Sequence, residues 1–142
     1  GNYIIVADVN NDSRLDLIIS GLVTNDLQVL FGIGNGSFDQ SSIVSPGPSS
    51  FSWSIAIGDF NGDDRLDVIG SNDLESYVGI VFGVNNGTFE NLITLSTGHS
   101  SILSKVVLGD FNNDQRLDFV VVDNNSSQNN IYLFLGHGTG KF

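Results

Sequence analysis

One nine-residue pattern recurs three times at a fixed interval, and that recurrence constrains this chain more than any other feature. It reads DVNNDSRLD at 8–16, DFNGDDRLD at 59–67 and DFNNDQRLD at 110–118. The leading aspartates, Asp8, Asp59 and Asp110, stand 51 residues apart. A second pattern keeps the register, since VLFGIGNGSF at 29–38 and IVFGVNNGTF at 80–89 are again 51 apart. Its third copy, LFLGHGTGKF at 133–142, comes two residues late. The polar stretch DNNSSQNN at 123–130, a loop by composition, accommodates that insertion. A chain with such a period is assembled from repeated supersecondary units.

Within each unit the apolar runs are short, rich in β-branched and aromatic residues, and bounded by Gly, Asn, Ser and Asp, which reads as strands. In the second unit the strands are expected near 53–60, 66–71, 78–83 and 91–96. No segment carries a sustained helical stripe, so essentially no helix is expected. Four strands per 51 residues make a small antiparallel sheet, and several such sheets packed face to face describe a β-propeller. The fold class expected is therefore all-β, with three tandem four-stranded antiparallel propeller blades at 1–52, 53–103 and 104–142. The third blade is expected to lack its outer strand, because the sequence stops at Phe142 where the second unit continues with ENLITLSTGHSS. Three blades are fewer than a closed ring needs. Two readings follow: a segment of a longer array, or copies that associate through exposed blade faces and an edge strand.

The 142 residues are 40% hydrophobic, enough for a folded chain with a modest core. No apolar run approaches a membrane span, and no signal peptide is visible at the N-terminus. Direct membrane insertion is not expected. The formal net charge of −11 excludes nucleic acid and anionic membranes as natural partners and points to cations. Nine of the sixteen acidic residues lie in the three repeated nonapeptides, so that charge is focused. The absence of Cys removes disulfides and thiolate metal sites. Asn-x-Ser/Thr signals occur at Asn11, Asn35, Asn86, Asn124 and Asn125, which would carry glycans if the chain is secreted by a eukaryote.

Each acidic loop supplies side-chain oxygens at positions one, three, five and nine, and a backbone carbonyl at position seven can complete the set. Calcium takes about six to eight oxygen ligands in irregular geometry, whereas magnesium demands stricter sites and keeps more water. Three carboxylates closing into one turn repel each other, and a divalent ion relieves that repulsion. One such turn alone would equally suit an ordinary Asx turn. Three with matching oxygen positions favour metal. The strand after each loop begins LDL, LDV or LDF. There Leu15, Leu66 and Leu117 are expected to enter the core, with Asp16, Asp67 and Asp118 turning back to the ion.

These loops, the GDFN lead-in at 58–61 and 109–112, and the FG at 31–32 and 82–83 resemble the FG-GAP or VCBS-type repeat of integrin α-subunit propellers and many extracellular proteins. The resemblance covers almost the whole chain. It implies three calcium sites, one per repeat. The first would use Asp8, Asn10, Asp12 and Asp16 with the carbonyl of Arg14. The second would use Asp59, Asn61, Asp63, Arg65 and Asp67, and the third Asp110, Asn112, Asp114, Arg116 and Asp118. One departure stands out, because family loops usually carry Gly at position six and this chain has Ser13, Asp64 and Gln115. Ser and Gln tolerate an unusual backbone there less well than Asp, which lowers the affinity expected at the first and third sites.

The function expected is a non-catalytic, calcium-stabilised extracellular scaffold for adhesion or interaction, binding a protein or glycan ligand. A self-assembling subunit of a closed oligomer or filament is the alternative, with a propeller hydrolase or lyase ranked behind both. Catalysis lacks support because His99 and His137 lie far apart in Gly/Ser-rich turns with no matching Ser or Asp constellation. Carboxylate pairs suited to glycoside hydrolysis occur only inside the acidic loops. Trp53 has no aromatic counterpart in the other repeats, where Asn2 and Ser104 align, so packing is its expected role.

Overall fold

The structure, a computed structural model, describes residues 3–20, 27–44, 54–72, 76–98, 102–125 and 130–142. The short β-branched runs form strands. The first sheet holds β1 (Tyr3–Ala7), β2 (Asp16–Ser20), β3 (Leu27–Gly32) and β4 (Phe38–Val44). A second holds β5 (Ile55–Gly58), β6 (Asp67–Ser71), β7 (Tyr77–Gly83) and β8 (Phe89–Ser96). The third holds β9 (Leu103–Gly109), β10 (Asp118–Asp123) and β11 (Ile131–Phe134). In every sheet each strand pairs antiparallel with the next in sequence, giving three meanders of four, four and three strands. Among the described residues the only helical turn is a 3-10 turn at Asn85–Gly87.

The second repeat places its four strands close to where the sequence puts them. The first is shorter than expected, ending at Gly58, because Asp59 and Phe60 already belong to the acidic loop. Trp53 lies outside the described residues, as does the expected division at 52/53, while the division at 103/104 falls at the first residue of β9.

The sheets lie face to face in chain order, with the second in the middle. β1 lies beside β5, and β9 beside β5 and β6. Successive strand residues face opposite ways, so a sheet covered on both sides loses the alternation of buried and exposed residues. β6 shows this, since all five of its residues are buried. Val68 joins Ile18, Leu27, Ile55 and Val81 between the first and second sheets. Its neighbour Ile69 joins Val78, Ile80, Val106, Phe119 and Val121 between the second and third. Phe119 anchors the latter core, stacked on Phe134 at 4.6 Å and meeting the edge of Phe142 at 4.9 Å.

The expectation that Leu15, Leu66 and Leu117 all enter the core needs correction. Leu117 packs against the core between the second and third sheets and lies over Gly58, where a Cβ would stand 2.5 Å from its Cδ1. Leu66 is half-buried, and Leu15 is 64% exposed. Leu117 finds its contact on the preceding sheet, and among the described residues no sheet precedes the first.

Candidate functional site

Two residues of each loop adopt left-handed backbone. Position four does so with Asn11, Gly62 and Asn113 at φ 59°, 79° and 61°, and position six with Ser13, Asp64 and Gln115 at 65°, 62° and 65°. Asn and Gly suit that region; Ser and Gln do so less well. The two left-handed residues turn the backbone amides of positions five and six toward the carboxylate at position one.

The oxygens of positions one and three meet on a single amide. In the first loop the Asp12 N–H donates to Asp8 Oδ1 and Asn10 Oδ1, both at 3.1 Å, while Ser13 N–H donates to Asp8 Oδ2 at 2.7 Å. In the second, Asp63 N–H donates to Asp59 Oδ1 at 3.2 Å and Asn61 Oδ1 at 3.1 Å, and Asp64 N–H reaches Asp59 Oδ2 at 2.8 Å. In the third, Asp114 N–H donates to Asp110 Oδ1 at 3.1 Å and Asn112 Oδ1 at 3.0 Å, and Gln115 N–H to Asp110 Oδ2 at 2.8 Å. Position five is drawn in as well, since Asn10, Asn61 and Asn112 each donate their side-chain amide to Asp12, Asp63 and Asp114 within 2.9–3.0 Å.

Position nine also holds two amides, but it is buried and reaches across the sheet. Asp16, Asp67 and Asp118 are fully buried, and both oxygens of each carboxylate accept backbone amides. Asp16 takes Val9 N–H and Gly32 N–H, both at 2.9 Å. Asp67 takes Phe60 and Gly83, and Asp118 takes Phe111 and Gly136, all at 2.8 Å. The buried carboxylate thus clips the loop's entry to the end of the sheet's third strand. The glycine partner is required by close approach, because a Cβ on Gly32, Gly83 or Gly136 would lie 2.1, 2.3 or 2.1 Å from the carbonyl oxygen of Leu15, Leu66 or Leu117. Sequence reasoning assigned these glycines no role. Their signal was present in the FG dipeptides at 31–32 and 82–83, which keep register with the loops, and in LG at 135–136, which comes two residues late.

The Arg at position seven lies over position five. Arg14 Nη2 approaches Asp12 Oδ2 at 2.6 Å, Arg65 pairs with Asp63, and Arg116 Nη1 stands 4.0 Å from Asp114 Oδ2. The hydrogen bond from Arg14 leads the influences that hold Asp12 below the usual carboxylate range. Burial works against ionisation of Asp59, but the amides of Asp64, Gly62, Asp63 and Asn61 together outweigh it and bring its pKa down. Burial pushes Asp67 up, against the lowering effect of the Gly83 and Phe60 amides, and the charges of Asp63 and Asp59 add to the rise.

A hard cation needs several converging oxygens. In all three loops the oxygens of positions one and three meet on one amide, and position five accepts the side-chain amide of position three. Asp16, Asp67 and Asp118 likewise hold an amide on each oxygen, each oxygen retaining one lone pair, and the charges of Asp63 and Asp59 reach Asp67. Among the described residues no three His, Asp or Glu side chains are gathered into a ready-made cage. A cleft of about 430 Å³ separates the first two loops, with Asp8 and Asn10 on one wall and Asp63 and Asp64 on the other. His137 lies in a turn closed by its N–H bonding to the Lys141 carbonyl at 2.9 Å, and His99 falls outside the described residues.

No curated protein matches this chain. Residues 8–70 and 65–121 match the FG-GAP-like repeat; the first match contains the first two acidic loops and the second the third loop. Together these matches span residues 8–121, most of the sequence, and the chain belongs to the FG-GAP-like repeat family.

Proposed function

We propose that this chain is a set of calcium-binding propeller blades serving as a non-catalytic extracellular scaffold. The observation that carries the reading is the convergence, in all three repeats, of the position-one and position-three oxygens on one amide, with the position-five carboxylate tied beside them. Asp8, Asn10 and Asp12 would hold the first ion, Asp59, Asn61 and Asp63 the second, and Asp110, Asn112 and Asp114 the third. Such an ion would neutralise carboxylates that crowd one turn. Asp16, Asp67 and Asp118, clamped by amides, would position each loop and contribute to the ion through their remaining lone pairs.

The face-to-face order of the sheets supports the blade reading. FG-GAP repeats are typical of extracellular proteins, and among the described residues no helix is long and apolar enough to cross a membrane. A scaffold of this kind would present its loop ends to a protein or glycan ligand. Thermal melting with calcium and with excess chelator tests the metal reading. Calcium at 100 times its dissociation constant should add about 2.7 kcal/mol of stability per occupied site. Superimposable melts in the two buffers would refute it.

A further inference from the structure

The dipeptide Asn-Gly occurs at 35–36, 61–62 and 86–87, and the fold holds each copy differently. Such a step is chemically labile, because glycine carries no side chain to keep its nitrogen away from the neighbouring side-chain amide. What separates the copies is where the reacting atoms are tied.

In the turn between β3 and β4, Asn35 Oδ1 accepts two hydrogen bonds from Ser37, the N–H at 3.0 Å and the hydroxyl at 2.6 Å. Among the described residues, Asn35 Nδ2 and the Gly36 N–H have no partner. The Asn35 amide thus has its oxygen held by two donors, while the nitrogen that would leave and the nitrogen that would attack are both free. Asn35 is exposed. That exposure belongs to the turn, since Asn86 and Thr139, its counterparts by register, are exposed in repeats whose turns sit on a preceding sheet. The backbone also belongs to the turn. Gly34 and Gly36, at φ 84° and 86°, match Gly138 and Gly140 at 69° and 71°.

The other two copies lack this arrangement. Asn61 Nδ2 donates to Asp63 Oδ2 at 2.9 Å and the Gly62 N–H to Asp59 Oδ1 at 2.7 Å, so both the leaving and the attacking nitrogen are tied. Asn86 is itself left-handed at φ 68°. There the hydroxyl of Thr88, the counterpart of Ser37, donates to the Asn85 carbonyl at 3.2 Å and leaves Asn86 without its two donors.

We propose that Asn35 is a modification site, deamidating through a cyclic imide while Asn61 and Asn86 stay intact. The Gly36 nitrogen loses its proton to hydroxide and bonds to Asn35 Cγ. Negative charge then gathers on Oδ1, where the two Ser37 donors stabilise it more strongly than they do the neutral amide. The Cγ–Nδ2 bond breaks, and the nitrogen takes a proton from water and departs as ammonia. Water opens the ring at either carbonyl to give aspartate or isoaspartate, so the net reaction consumes water and releases ammonia. The new carboxylate forms one residue from Gly34, where a Cβ would stand 3.2 Å from Cδ of Arg14, the side chain paired with Asp12. Nothing in this chemistry depends on the metal reading.

The test is ageing of the full chain, produced in bacteria so that no glycan occupies Asn35, in chelator at mildly alkaline pH. Peptide mapping by mass spectrometry follows each amide-to-acid conversion. Asn35 should convert several-fold faster than Asn61 or Asn86. S37A keeps the N–H donor and removes the hydroxyl, and should slow Asn35 about 2–10-fold, the worth of one hydrogen bond. In urea the advantage of Asn35 should disappear and S37A should have no effect. Asn35 converting no faster than the other two, S37A reacting at the wild-type rate, or an advantage as large in urea as in the folded chain would each overturn the proposal. Ser37 is exposed, and circular dichroism checks that the variant folds; N35Q identifies the Asn35 signal by its loss.

Discussion

Asp67 and Gly83 lie sixteen residues apart and form the clip of the central sheet, with the glycine N–H donating to Asp67 Oδ1 at 2.8 Å. The same glycine leaves no room for a side chain beneath the Leu66 carbonyl. Loop, second strand and third strand are thereby joined at one buried point.

Gly83→Ala should be costly for that reason. Overpacking against backbone costs about 1–3 kcal/mol, and weakening a hydrogen bond to a buried charge adds a comparable amount. A loss of about 2–4 kcal/mol is expected in urea unfolding. A midpoint within error of wild type would show that the strand end shifts freely and that the clip does not hold it.

Asp67→Asn preserves shape but turns one acceptor into a donor facing a backbone N–H. Leaving that buried amide unpaired should cost about 1–3 kcal/mol. Amide hydrogen exchange at Phe60 or Gly83 should accelerate. Unchanged protection at both would count against the clip.

The pH dependence of the chelated protein should be split between loop positions. The pKa of Asp59 is lowered in the folded state, so its ionised form contributes stability above the ordinary value of 3.8 and loses it as pH falls through the folded value. That of Asp67 is raised, so its contribution is full below 3.8 and is lost as pH rises through the folded value. Asp59→Asn should therefore be more destabilising near neutral pH than in acid. A difference from wild type that grows on acidification would reverse the assignment.

Gln115→Gly relieves a left-handed residue with a side chain at φ 65°. The cost relieved is about 1–2 kcal/mol, offset by about 0.5–1 kcal/mol of added chain entropy in the unfolded state. The melting temperature should rise slightly, and calcium affinity at the third loop should rise with it. A lowered melting temperature would contradict the strain inferred there.

The repeat, the strands and the acidic loops were legible because they depend on local sequence in a fixed register. What escaped depends on neighbours. Leu15, Leu66 and Leu117 occupy one sequence slot yet differ in exposure, and the contact that Leu117 makes over Gly58 belongs to the neighbouring sheet and not to its own repeat. The role of Gly32, Gly83 and Gly136 was equally hidden, because it is set by a carbonyl on an adjacent strand. The two backbone amides that each buried position-nine carboxylate holds were hidden too, because one of them comes from the far end of the sheet.

The calcium reading is tested most directly by equilibrium dialysis of the chain against calcium. Three ions per chain are expected for wild type, and two for each protein in which Asp12, Asp63 or Asp114 is replaced by Ala. No retained calcium in wild type, or an unchanged count in all three variants, would contradict the account.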